Sequence, residues 1–71
     1  MTPERLNVIA EVVEVDLLKC KNLGVAKVKC DLESLQDMSF ELSKEPMDSE
    51  YYWLVSSVQY RLFELIDMIL R

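Results

Sequence analysis

The last third of the chain carries the strongest periodic pattern in this sequence. Apolar residues recur there at alternating steps of four and three positions: Tyr51, Val55, Val58, Leu62, Leu65 and Ile69. This spacing puts them on one side of an α-helix, so it predicts a long C-terminal helix that buries that side. Pro46 interrupts whatever precedes the helix, and Asp48 or Ser49 can cap its first turn.

The apolar surface of this helix is wider than a single core requires. Further apolar and aromatic residues lie beside the first stripe: Tyr52, Phe63, Ile66 and Leu70 on one side, and Trp53 and Tyr60 on the other. Consecutive helical residues point about 100° apart, so Tyr51, Tyr52 and Trp53 cannot all enter one core. Because tryptophan and tyrosine often dominate binding energy, we predict a protein-binding surface. Its residues are Trp53, Tyr60, Tyr52 and Phe63.

The N-terminal segment favours a second helix, from Pro3 to about Asn22. Thr2 is a suitable N-cap, Pro3 suits the first helical position, and Gly24 can end the helix. The residues predicted to face the core are Leu6, Ile9, Ala10, Val13, Leu17 and Cys20. Several valines favour a strand instead, so a long strand is the alternative for this segment.

The middle of the chain is open to two interpretations. Apolar and polar residues alternate over 24–32 and again over 38–43, which is typical of strands. We therefore predict an α+β fold in the order helix, two-stranded antiparallel hairpin, long C-terminal helix, with residues 33–37 joining the strands. The alternative is a helix from Asp31 to Lys44, which would make a three-helix bundle. Its apolar stripe would be Leu32, Leu35, Met38 and Leu42.

Length and composition indicate one small domain with apolar surface to spare. The chain has 71 residues, of which 51% are apolar, so residues 1–71 are expected to form a single domain. A domain of this size buries only about 60% of the surface that its unfolded chain exposes. We therefore expect a homodimer, formed by sheet pairing or through residues 52–70.

The residue content argues against an enzyme and against a metal or cofactor site. The chain has no histidine, a single glycine and no nucleophile motif. Because no export signal is present, Cys20 and Cys30 are expected to be reduced thiols that pack in the core. Two cysteines without histidine fall short of the four ligands that a zinc site normally needs, and a four-thiolate site shared by two chains is the minor alternative. With no export signal and no run of about 18 apolar residues, we expect a cytoplasmic location and no membrane association.

Charge is distributed unevenly along the chain. Residues 31–50 contain seven acids and one base, while the whole chain has a net charge of −5. These acids are a candidate docking surface for a basic partner: Asp31, Glu33, Asp37, Glu41, Glu45, Asp48 and Glu50. Upstream lies a basic stretch that has no acid within it: Lys19, Lys21, Lys27 and Lys29.

Three functional hypotheses follow from these patterns. The first is a small acidic regulator or inhibitor that docks on a larger protein, such as a nucleic-acid-binding enzyme, by analogy with phage and mobile-element inhibitors. The first alternative is a structural assembly subunit or chaperone-like adaptor with an apolar interface. The second alternative is a weak nucleic-acid binder that uses the four lysines, which the negative net charge disfavours.

Overall fold

Three helices run up, down and up in the computed structural model, which describes residues 1–28 and 31–71. Helix α1 spans Pro3–Leu23, α2 spans Leu32–Ser43 and α3 spans Tyr52–Leu70, and a single 3₁₀ turn, Val25–Lys27, follows α1. Ion pairs between side chains establish the relative directions of the three helices. The start of α1 meets the end of α2, and α1 and α3 are linked in parallel order. Helix α2 is therefore antiparallel to the other two.

Helix α1 confirms the prediction for the N-terminal segment. The Thr2 hydroxyl accepts a hydrogen bond from the Arg5 backbone N–H at 3.2 Å, and Pro3 occupies the first turn. Gly24 follows the last helical residue with φ 95°, a conformation that disfavours residues with a side chain. Five of the six residues predicted to face the core are buried, and Ala10 is partly buried.

The predicted hairpin, and with it the α+β fold class, is wrong. Both proposed strand segments and their connection fall largely within α2 and the 3₁₀ turn, and residues 1–28 and 31–71 contain no strand. Helix α2 begins after Asp31, whose Oδ1 accepts a hydrogen bond from the Ser34 backbone N–H at 2.8 Å. It ends before Lys44. The alternative three-helix bundle, with a helix from Asp31 to Lys44, is the fold that is observed.

Three factors explain why the helix prevails over the hairpin. A run of five or six alternating residues also fits a helical stripe, and here the helix buries Leu35 and Leu42 completely or nearly so. The N-cap at Asp31 adds a satisfied backbone donor. The connection proposed for the hairpin contains no glycine or Asn-Gly to reverse the chain tightly. Lys29 and Cys30, assigned to the first strand, lie outside the described residues.

Helix α3 is the central element, because α1 and α2 both pack against it. It begins at Tyr52, a few residues after the predicted caps, and the Ser49 hydroxyl accepts from the Tyr51 backbone N–H at 3.1 Å. Within the described ranges, no helix combines the length and apolarity that crossing a bilayer requires. The buried apolar core joins all three helices: Leu6, Ile9, Val13, Leu17, Cys20, Leu35, Leu42, Val55, Leu62 and Leu65.

Candidate protein-binding surface

The four aromatic residues predicted to bind protein all lie along the outer part of α3. Trp53 is 79% exposed, Tyr60 is 76% exposed and Phe63 is 50% exposed, while Tyr52 is partly buried. The Tyr52 and Trp53 rings meet edge to face, with their centroids 5.4 Å apart. We call Tyr52, Trp53, Tyr60 and Phe63 the aromatic face. Large aromatic side chains this exposed are unusual on a surface that only water contacts.

A groove between α2 and α3 runs along one edge of the aromatic face. Its volume is about 260 Å³. Buried Leu42 and Val55 are among the residues that line it. Across the same pair of helices, Gln59 Nε2 donates a hydrogen bond to the Ser39 carbonyl oxygen at 3.1 Å. The other lining residues come from the end of α2, the loop after it and α3: Ser43, Glu45, Tyr52, Ser56, Gln59, Tyr60 and Phe63.

Ion pairs join α1 to both of its neighbours. Arg61 pairs with Glu14, with Nη2 2.8 Å from Oε2, and Lys21 Nζ lies 3.3 Å from Glu64 Oε1, so two pairs link α1 to α3. Arg5 and Glu41 link α1 to α2. Among the described residues, no ion pair crosses from α2 to α3. Apolar packing and the Gln59–Ser39 hydrogen bond therefore hold α2 to α3, and the groove between them is lined in part by aromatic rings.

Two of the predicted acidic docking residues are engaged within the fold at its α1–α2 end. Glu41 accepts two hydrogen bonds from the Arg5 guanidinium, which hold the pKa of this carboxyl below its usual value. Glu45 Oε1 accepts from the Ser49 hydroxyl at 2.5 Å, and its Oε2 lies 3.1 Å from the Met1 ammonium. The hydrogen bond from Ser49 does most to lower the pKa of Glu45, and the Met1 ammonium lowers it further. Glu41 therefore joins α1 to α2, and Glu45 joins the N-terminus to the loop before α3.

The other acidic residues divide between a helix cap and exposed positions. Asp31 caps α2, and its hydrogen bonds with Ser34 lower its pKa. The remaining four are exposed, two on α2 and two in the loop before α3: Glu33, Asp37, Asp48 and Glu50. A docking surface made from this segment would therefore depend on those four, and the acidic-surface hypothesis stays a prediction.

The lysines of the nucleic-acid hypothesis occupy different surroundings. Lys21 is paired with Glu64, Lys19 is partly buried, and Lys27 is exposed on the 3₁₀ turn. Lys29 lies outside the described residues. Pairing with a carboxylate reduces the positive charge that Lys21 could offer to a phosphate. The hypothesis stays a prediction.

Sequence reasoning missed one buried charged residue. Asp16, in α1, is only 3% exposed, and its Oδ2 has no hydrogen-bond partner among the described residues. Its position could have been read from the α1 stripe, because it lies three residues after Val13 and four before Cys20. The described residues hold no group of three potential metal ligands, and Cys20 is a buried free thiol.

Comparisons with known proteins do not assign the chain to a family. No protein-family model matches the sequence, and neither the curated proteins nor the solved structures include a match to it. The surface chemistry of the three helices is therefore the basis for a functional proposal.

Proposed function

We propose that this protein is an assembly subunit or adaptor that binds other proteins through an apolar interface, the aromatic face of α3. The observation that carries the proposal is the exposure of Trp53 and Tyr60, each more than three-quarters accessible on the same helix. Tryptophan and tyrosine supply large contact areas with few rotatable bonds, and they are the residues most often found at the centre of binding energy.

The groove beside the aromatic face supports the same proposal. Buried apolar side chains line it, and the rings of Tyr52, Tyr60 and Phe63, which range from partly buried to mostly exposed, border it, so it can receive an apolar side chain from a partner. The acidic alternative has weaker support, because Asp31, Glu41 and Glu45 already have partners inside the fold. A cytoplasmic location remains part of the proposal.

Site-specific photo-cross-linking in the cells that produce the protein tests this proposal. Phe63 is replaced by a photoreactive benzoylphenylalanine, which keeps an aromatic ring at a half-exposed position. The matched control places the same group at Asn7, an exposed residue of α1. We expect adducts with other proteins, identified by mass spectrometry, at position 63 and not at position 7.

The same experiment separates the apolar interface from the acidic one. A third variant carries the photoreactive group at Asp37, on the exposed side of α2. Adducts that form at position 37 and not at position 63 would contradict the proposal and favour an acidic regulator. Equal labelling at positions 7 and 63 would show that the aromatic face has no preferred partner.

A further inference from the structure

We propose that the groove between α2 and α3 receives an amphipathic helix of a partner protein, with an apolar stripe that enters the groove and basic residues beside that stripe. This inference rests on the proposed function, because it names the chemistry of the partner that the aromatic face and its groove bind. Apolar contacts supply most of the affinity in this arrangement, and charge selects the partner. Three observations support it: the form of the groove, its lining and the charge around it.

The form of the groove favours a helical segment over a small molecule or an extended peptide. Its volume of about 260 Å³ lies below the range of about 300–1,000 Å³ that is typical of small-molecule pockets. Residues 1–28 and 31–71 contain no strand, so they offer no sheet edge to which an extended peptide could bond. Helices α2 and α3 instead leave a channel between two rows of side chains, where the side chains of a partner helix can interdigitate.

The lining residues suit apolar anchors from such a helix. The Tyr60 and Phe63 rings, each at least half exposed, border the groove, and buried Leu42 also lines it. Ser43 of α2 and Ser56 of α3 present only hydroxymethyl groups there, so a partner helix can approach closely. The two rings are three residues apart on α3 and therefore lie side by side, where apolar residues spaced by three and four on a partner can meet them.

The charge around the groove selects a basic partner. Residues 31–71, which contain both helices of the groove, have nine acids and three bases, a net charge of −6, whereas residues 1–30 have a net charge of +1. Among the described residues that line the groove, Glu45 is acidic and none is basic. The neighbouring Lys44 directs its Nζ to the exposed Phe40 ring, 4.5 Å from the ring centre. The attraction between opposite charges therefore favours lysine and arginine on the partner.

The acids that remain free to attract a partner lie at the end of the groove where α3 begins. Asp48 and Glu50 are exposed in the loop before α3, and neither takes part in an ion pair found among the described residues. At the other end, Asp67 lies one turn after Phe63, and Arg71 already pairs with it. We therefore expect the basic residues of the partner to lie beside the start of α3. An acidic helix, or a second copy of this acidic chain, would be repelled.

Selection from a displayed library of random peptides tests the chemistry of the partner without assuming its sequence. The full chain is the bait, and the peptides have about 16 residues, a little over four helical turns. We expect enriched peptides to carry apolar residues at steps of three and four, together with an excess of lysine and arginine. Enriched peptides that are acidic or lack helical spacing would overturn the proposal, and so would a selection that enriches no peptide.

The tightest selected peptide then serves as the probe in fluorescence-anisotropy titrations. Glu50→Lys should raise its Kd about threefold or more at low salt, and added salt should weaken binding to the wild type. Glu11→Lys is the matched control, because it changes the net charge equally from an exposed position on α1. An equal effect of the two reversals would show that only the overall charge matters, which would overturn the proposed site.

Substitutions at the groove test where the peptide binds. Phe63→Ala should raise the Kd about tenfold or more. Phe40→Ala is its control, because Phe40 is 64% exposed and is not among the described residues that line the groove. Circular dichroism establishes that both variants remain folded. Should Phe63→Ala unfold, Ser43→Arg serves instead, because it adds bulk and positive charge to the groove from an exposed position. Binding that survives the substitution in the groove would contradict the site.

Proline substitution in the peptide tests whether it binds as a helix. Proline at a polar position near the centre of the selected peptide removes a helical hydrogen bond and clashes with the preceding turn. It should raise the Kd about tenfold or more, whereas alanine at the same position should leave the Kd nearly unchanged. Equal affinities for the proline and alanine peptides would overturn a helical mode of binding.

Failure of this inference can be told from failure of the proposed function. Adducts at position 63 with protein segments that are acidic or that do not form helices would remove the basic helix and leave the adaptor in place. Adducts at position 63 to a second copy of the chain would likewise overturn the basic partner. Selected basic peptides that bind the groove, with no preferred adduct at position 63 in cells, would support the chemistry of the groove and contradict an adaptor role.

Discussion

Arg5 and Glu41 form a two-bond ion pair that joins the start of α1 to the end of α2. Arg5 Nε lies 2.8 Å from Oε1 and Nη2 lies 2.9 Å from Oε2 of the carboxylate. The two parallel hydrogen bonds orient both groups, unlike a single contact between flexible side chains. A residue that appeared from charge patterning to be available for docking is thus part of the scaffold.

This pair predicts that stability falls at low pH. The bonds from Arg5 hold the folded-state pKa of Glu41 below its ordinary value of 4.5, so the unfolded chain takes up this proton first as pH falls. The stabilisation from this pair is therefore fully present above the pKa of Glu41 in the unfolded chain. It is lost as pH falls through the lower pKa of Glu41 in the folded chain. We expect urea unfolding midpoints to drop between about pH 6 and about pH 3.

The Glu41→Gln variant identifies the share of that loss that belongs to the ion pair. It should lower the midpoint near neutral pH and flatten the acid dependence, because the neutral amide cannot take up the proton. Glu33→Gln is the matched control, since Glu33 is exposed on the same helix and is not ion-paired among the described residues. An acid dependence unchanged in Glu41→Gln would show that other carboxylates dominate.

The centre of the core should be sensitive to truncation at Leu62. Its side chain is fully buried, and it belongs to α3, the helix against which both α1 and α2 pack. Leu62→Ala should cost about 2–5 kcal/mol of unfolding free energy, through lost apolar burial and a residual cavity. Leu54→Ala, at a position 58% exposed on the same helix, should change it by about 0.5 kcal/mol or less. Chemical denaturation measures both, and similar losses would contradict the arrangement of the core.

The end of α1 should depend on the absence of a side chain at Gly24. Its φ is 95° with ψ 163°, a region that essentially glycine alone adopts, although nothing lies within 4 Å of an added Cβ. Gly24→Ala should therefore cost about 1–3 kcal/mol through backbone strain alone. Chemical synthesis of the chain with D-alanine at this position supplies the control, because D-residues favour positive φ. Equal melting temperatures for the L-alanine and D-alanine variants would contradict backbone strain at position 24.

Charge reversal distinguishes the acidic docking surface from the aromatic one. The exposed acids Asp37 and Glu50 can both be changed to lysine without breaking an ion pair found among the described residues. If the aromatic face provides the binding energy, the double variant should keep its photo-adducts at position 63 with a changed salt dependence. Complete loss of those adducts would instead favour the acidic regulator.

Nucleic-acid binding should be weak or absent. Net charge is −5 and Lys21 is paired with Glu64, so we expect no retardation of DNA or RNA in a gel-shift assay at low salt. Retardation that is lost in Lys27→Glu, which changes an exposed lysine of the 3₁₀ turn, would revive the basic-stretch hypothesis.

Apolar patterns that extend over many residues predicted two of the three helices. Helix α3 follows from the stripe through Val55, Leu62 and Leu65, and α1 follows from its stripe together with Thr2 and Gly24. The α3 stripe extends over about five turns, so its period of 3.6 residues separates clearly from a period of two. The α1 stripe covers about four turns, and its valines left a strand as the alternative until the structure showed a helix. Trp53 and Tyr60 were also foreseen as outward-facing, because a core cannot accept residues from every side of a helix.

The tertiary structure decided the secondary structure of residues 31–44 and the partners of the charged side chains. Over residues 31–44 the apolar pattern is short enough to suit a strand or a helix, and the choice depends on whether Leu35 and Leu42 can be buried against α3. The roles of Glu41 and Asp16 likewise depend on which groups from distant parts of the chain come near them. Sequence spacing specifies the face of an element, but not what that face meets, since that depends on how the helices assemble.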